Sequence, residues 1–233
     1  MLLTNRCGVC ILASLALGLV SACAPDLGTP DYSNQSGLRQ PISPFPPVPP
    51  DPFQPGDERL SVGYFYEGGW SLEIPINTVT TNYFVFAIDE SDPVATRSFS
   101  ESDSDDRVEG SISYEVTING SPFWGGGIIW NEPVDLSNWT SMFVSFKSSD
   151  PSFASFAITL QSGTEETPFG VDLSPGAYGY INDGEWHFLQ IPLQDAIDRG
   201  WDPRTVRSPF IVSAPGGDTG DSLLIDNLYF TKD

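Results

Sequence analysis

From Arg59 to Asp233 apolar and polar residues alternate in short runs, and each run is closed by Gly, Pro, Asn or Asp. Successive side chains of a strand point to opposite faces, so a period of two predicts half-buried β-strands rather than helices. Nine segments carry the pattern: LSVGYFY, NYFVFAID, GSISYEVTI, GGGIIWN, SMFVSFKS, SFAITLQS, EWHFLQIPL, SPFIVSA and LLIDNLYF. The one helix predicted is the turn or two around LQDAIDRG, between Pro192 and Pro203. Many strands, almost no helix and no repeating blade predict an all-β fold, a β-sandwich of the jelly-roll kind. A domain of this length buries a sizeable core without covalent staples.

The last segment breaks its own pattern. In DSLLIDNLYF a regular strand would put Leu224, Asp226, Leu228 and Phe230 on one face and Leu223, Ile225, Asn227 and Tyr229 on the other. Asp226 would then have only apolar neighbours on its side. A carboxylate so placed is costly unless it is hydrogen-bonded, paired or bound to a cation.

The other end of the chain reads differently. One positive charge, Arg6, precedes an uninterrupted apolar stretch from Cys7 to Ala22, too short for a membrane-spanning helix and typical of a secretory signal peptide. Its boundary, Val20-Ser21-Ala22-Cys23, resembles the lipobox of bacterial lipoproteins. The resemblance implies removal of residues 1–22 and lipidation of Cys23 with a diacylglyceryl thioether and acyl chains such as palmitate, which together fix a protein to a membrane without a transmembrane helix. Ala24, where many inner-membrane lipoproteins carry Asp, points to the outer membrane of a bacterial cell envelope. Cys7 and Cys10 leave with the signal, so the folded part keeps no thiol for a disulfide, a zinc cluster or a nucleophile. Residues 23–58 hold ten prolines after the cysteine and show no periodicity. They read as a disordered, proline-rich stalk of extended polyproline character.

Charge narrows the partners. Without Arg6, nine basic residues face thirty-one acidic ones, a formal charge of −22. Such a surface repels nucleic acid and anionic headgroups, which leaves the lipid anchor as the only membrane contact. The acidic run ESDSDDRVEG sets Asp103, Asp105 and Asp106 in what reads as a solvated turn, because it lacks the glycine and distal glutamate of a calcium-binding loop.

Three segments then occur in a telling order: WNEPVDLSNW leading into SMFVSFKS, GEWHFLQIPL, and LIDNLYF at the end. Together they resemble the galactose-binding-like jelly roll of carbohydrate-binding modules, across residues 59–233. The resemblance implies that Trp186 and Trp139 pack inside. It also implies a structural calcium ion tying the first strand to the last, with Glu67 and Asp226 at the matching positions. Two carboxylates fill only part of a calcium shell, so backbone carbonyls must complete it. The metal-free alternative, an Asp226 carboxylate held by backbone N–H groups or a hydroxyl, stands beside it.

Sugar-binding faces combine aromatic rings with nearby polar groups. Trp124 and Trp130 bracket WGGGIIW, whose glycines let a ligand approach the backbone, and Tyr114 and Glu115 lie on a neighbouring alternating segment. These four residues are the expected carbohydrate-binding set, with ordinary core or surface as the competing assignment. His187, the single histidine, reads as a neutral rim residue. No Gly-x-Ser-x-Gly elbow is present and no free cysteine remains, so no catalytic residues are expected. The reading is a monomeric, non-catalytic glycan-binding module, with a structural envelope lipoprotein that binds a protein partner as the alternative.

Overall fold

The computed structural model describes residues 59–62, 64–65, 71–73 (backbone only), 81–89, 91–93, 96–120 and 122–232. Cys23, the proline-rich stretch and Glu67 lie outside the described residues.

The strands in chain order are β1 (Arg59–Ser61), β2 (Ser71–Glu73), β3 (Thr81–Val85), β4 (Phe99–Ser104), β5 (Ser113–Ile118) and β6 (Phe123–Trp130). They continue with β7 (Ser141–Lys147), β8 (Ala157–Gly163), β9 (Pro168–Leu173), β10 (His187–Pro192), β11 (Val206–Pro215) and β12 (Ser222–Thr231). A short helix, α1 (Gln194–Ile197), falls where LQDAIDRG predicts one. Two sheets face each other. The five-stranded sheet has the order β3-β6-β11-β8-β9. In the seven-stranded sheet β10 and β7 flank one edge of β12, while β5 with β4 and β1 with β2 share its other edge. All pairings are antiparallel except that of β1 with β2. The fold is the expected β-sandwich.

The core between the sheets follows from alternation. On β6, Trp124, Ile128 and Trp130 point inward and are fully buried; on β11, Phe210 and Val212 do the same. From the opposite sheet, Met142, Val144 and Phe146 of β7 meet them. Trp186 is buried, as expected, but not between the sheets. It shares a parity with the outward positions of β10, and its Nε1–H donates to Asp106 at 2.8 Å. Trp139 is half-buried against the core cluster.

Three strands escape the hydrophobic pattern. β4 is FSESDS, exposed along most of its length and held by main-chain pairing with β5. β9 is PFGVDL, in which Pro168 and Gly170 read as turn residues. β2 is short. The acidic run is therefore not one loop: Asp103 belongs to β4, and Asp105 and Asp106 follow it. Nor is it simply solvated, because the Asp106 carboxylate accepts from Lys147 Nζ at 2.6 Å as well as from Trp186.

The expected faces of β12 need correction. Its register against β7 runs from Asp226 opposite Ser145 to Tyr229 opposite Phe143, three residues against two. The extra residue is a β-bulge, and Asn227 takes the left-handed conformation there, with φ +62°. The bulge reverses the parity of everything after it. Leu223 and Ile225 reach the core before it, and Leu228 and Phe230 after it. Asp226 therefore does not share a face with Leu228 and Phe230. It turns outward, away from the core.

A β-branched residue tolerates a positive φ poorly. Asn227→Val is expected to cost roughly 1–3 kcal/mol, and Asn227→Gly less. Denaturant midpoints of the two variants beside the unmodified protein check this.

Candidate functional site

The four residues expected to bind sugar do not share a surface. Trp124 and Trp130 are both buried, and of the two Trp124 is among the residues that line the cleft described below. Trp124 packs on Phe153 with centroids 5.0 Å apart, and Trp130 donates its Nε1–H to Thr81 Oγ1 at 3.0 Å. The physical reason is phase: both tryptophans share the inward parity of Ile128. Tyr114 also turns inward, edge-on to Phe65 at 5.1 Å. Glu115 alternates with it and leaves β5 toward the outer side of the other sheet. His187 is half-buried, with Nε2 2.8 Å from Asp183 Oδ1. That contact and an N–H from Glu185 hold the Asp183 carboxyl below its ordinary range.

The opposite phase of the same strands borders a cleft. Phe123, Gly125 and Gly127 face out from β6, and Ser213 and Pro215 from β11. The cleft, of about 730 Å³, opens beside them, lined from these two strands by Phe123, Trp124, Ser213, Ala214 and Pro215. One wall is aromatic. Phe86, just past the end of β3, meets Phe84 at 5.8 Å and Phe123 at 6.4 Å. Phe123 is 38% exposed, one of four large apolar residues on the described surface that reach such exposure. The floor is made of small groups, among them Ser213, Ala157 and Pro215. The far wall is polar and comes from β9 and the segment after α1. The Asp172 carboxylate accepts from Thr159 Oγ1 at 2.6 Å, and Arg199 Nη1 donates to the Asp172 carbonyl at 2.9 Å.

Chemically, the groove sets a pair of flat apolar rings against a carboxylate and a guanidinium, both already held by the protein. Rings of this kind cover the C–H face of a ring-shaped ligand, while the polar pair accepts and donates hydrogen bonds at its edge. WGGGIIW lies in β6, whose Phe123 and Trp124 end reaches the cleft while Trp130 does not. A signal existed: NYFVF is apolar on both faces, so one face must serve something besides the core. Asp172 and Arg199 carry no such signal, since only the fold brings positions 172 and 199 together.

The Asp226 carboxylate lies 1% exposed beneath the segment after β4. Its Oδ2 accepts N–H bonds from Val108 at 2.7 Å and Glu109 at 3.1 Å, and its Oδ1 accepts one from Asn227 at 2.7 Å. This is the metal-free arrangement. Three N–H dipoles already point their positive ends at the oxygens, and among the described residues no three His, Cys, Asp or Glu side chains gather to hold a metal. Glu67, the other carboxylate expected to hold calcium, lies outside the described residues.

No family model and no curated protein matches this chain by sequence. Solved structures do match by fold. The family 30 carbohydrate-binding module of a cellulosomal cellulase of Clostridium thermocellum is similar at 14% identity and a TM-score of 0.51, over 65% of this chain and 91% of that one. Another family 30 module is similar at 15% identity and a TM-score of 0.49, over 59% and 78%. A family 11 module from Clostridium thermocellum, in complex with a β-1,3-1,4-mixed-linked tetrasaccharide, is similar at 11% identity and a TM-score of 0.43, over 66% and 88%. The likeness to the first of these, at a TM-score of 0.51, bears on the fold alone.

Burial pushes the Asp226 carboxyl up to about 7, against the lowering effect of its three N–H donors. The folded state therefore holds this proton more tightly than the unfolded chain does. The stabilisation from that proton is complete below the ordinary carboxylate range and is lost as pH rises through 7. Stability is expected to fall between pH 4 and pH 8, with a shallower fall in Asp226→Asn and no response to added calcium or chelator. Melting temperatures across that range check all three.

Proposed function

We propose that this protein is a membrane-anchored, non-catalytic glycan-binding module displayed at the bacterial cell envelope. The observation that carries the reading is the groove on the five-stranded sheet, where the Phe86 and Phe123 rings face Asp172 and Arg199 across a floor of small side chains. A sugar ring presents an apolar face and a polar rim, and the two walls match those two surfaces. The fold supports the reading, since it is shared with a carbohydrate-binding module. Of the exposed large apolar residues among the described ones, Phe123 lines the groove, where it stands with polar groups as a sugar-binding wall requires.

Anchoring rests on the sequence around Cys23, with the proline-rich stretch as spacer between lipid and sandwich. Binding would rest on ring stacking and hydrogen bonds, with no covalent step.

Affinity electrophoresis through gels carrying a panel of polysaccharides, including a mixed-linkage β-1,3-1,4-glucan, tests the binding. At least one polysaccharide is expected to retard the protein, and Phe86→Ala or Phe123→Ala to weaken that retardation roughly tenfold, the equivalent of about 1.4 kcal/mol. Mobility that no polysaccharide changes sinks the reading.

Anchoring has its own test. Metabolic labelling with palmitate is expected to mark the protein in the membrane fraction. Cys23→Ala should lose both the label and the membrane association.

A further inference from the structure

The aromatic wall depends on a feature that is not itself aromatic. A Cβ built on Gly125 would fall 2.5 and 2.6 Å from two carbons of the Phe86 ring and 2.8 Å from Ser213 Cβ. The ring thus occupies the space that any side chain at position 125 would take. It lies directly on the backbone of β6. Main-chain bonds hold the same place: Phe86 N–H donates to the Gly125 carbonyl at 2.8 Å, and Ser98 N–H donates to the Phe86 carbonyl at 2.8 Å. Ser98 is fully buried, and its hydroxyl closes the arrangement. Ser98 Oγ accepts the Gly125 N–H at 3.2 Å and lies 3.3 Å from the Gly125 carbonyl, to which it donates.

Three segments meet here, the end of β3, the start of β4 and the middle of β6, and Phe86 is fixed on each side. We propose that Gly125 and Ser98 are positioning residues for the glycan groove: they seat the Phe86 ring as its stacking wall and act on ligand only through that ring. This inference rests on the glycan reading of the groove. Gly127 is a different case. A Cβ there would strike the Phe210 carbonyl at 2.2 Å and Ile211 Cα at 2.7 Å, so its role is to let β11 approach.

A double-mutant cycle on the full-length protein separates positioning from plain stability. Retention on the mixed-linkage β-1,3-1,4-glucan, or on whichever panel polysaccharide retards the protein, is measured for Phe86→Ala, Gly125→Ala and the double variant. Gly125→Ala is expected to lower retention roughly tenfold, as Phe86→Ala does, and the double variant to match Phe86→Ala alone. Losses that multiply in the double variant, or a Gly125→Ala protein that binds normally, overturn the proposal.

Should Gly125→Ala fail to fold, Ser98→Ala leaves the space over Gly125 free and removes only the two hydroxyl bonds. It is expected to weaken retention in the presence of Phe86 and to have no effect in its absence; equal losses in both backgrounds overturn the proposal. A second readout needs no glycan. Nuclear Overhauser contacts between the Phe86 ring and the Gly125 α-protons should be present in the unmodified protein and weakened in Ser98→Ala. Their absence from the unmodified protein overturns the seat. Retention unaffected by Phe86→Ala overturns the groove reading instead, even where the ring contact is found.

Discussion

The bulge at Asn227 is the constraint on which the seven-stranded sheet depends. β12 is the strand that every part of that sheet touches, with β7 along one edge and with β5 and then β1 along the other. The partner on that second edge changes across the bulge. Ser222 to Ile225 pair with β5, and Tyr229 to Thr231 pair with β1. A flat strand could not do this while keeping Leu223, Ile225, Leu228 and Phe230 all in the core, because a strict period of two forces 225 and 228 to opposite faces. One residue in the left-handed conformation adds the missing step. Its cost is visible in the side chain of Asn227, which is buried with neither amide atom bonded among the described residues.

The same bulge aims Asp226. Turned outward, its carboxylate collects the N–H groups of Val108 and Glu109 and so ties the segment after β4 to the sheet. Around it, Asp106 binds Lys147 and Trp186, and Arg59 lies 3.4 Å from Glu109 while its guanidinium caps the Tyr229 ring at 4.4 Å. A buried carboxylate with good donors is expensive to disturb, because removing it leaves several donors without acceptors. The segment is therefore fastened at several points, and one strand end serves both core and clasp.

Fold class was legible in the sequence because alternation is a local signal: SMFVSFKS and SPFIVSA each declare a strand without reference to a partner. β4 was not legible, since FSESDS becomes a strand only through pairing with β5. The bulge was hidden for a related reason. Asp226 and Asn227 announce an anomaly, but whether a polar pair marks a bound cation or an extra residue depends on the register of the neighbouring strand. At the cleft, the strand carrying WGGGIIW was legible as a strand, and its glycines as places of close approach. Which face of that strand packs inward follows from parity, since Trp124 and Trp130 are in phase with Ile128 and join the same core cluster.

Parity also explains why the groove stands where it does. On β6 the inward set is Trp124, Gly126, Ile128 and Trp130, bulky except where Gly126 leaves room for the Phe99 ring; a Cβ there would approach it to 2.7 Å. The outward set is Phe123, Gly125, Gly127 and Ile129, which is nearly bare at its centre. Bare backbone on the outer face is what allows Phe86 to lie flat beside a shallow floor instead of standing over it. The polar wall is equally constrained, since Thr159 fixes the Asp172 carboxylate and the Asp172 carbonyl fixes Arg199. A ligand meeting groups already held in place loses less affinity to the ordering of protein side chains. Under the proposed anchoring that economy is compounded. Many tethered copies facing one polymer bind through effective concentration, so a groove with two rings and two polar groups need not bind tightly in any single encounter.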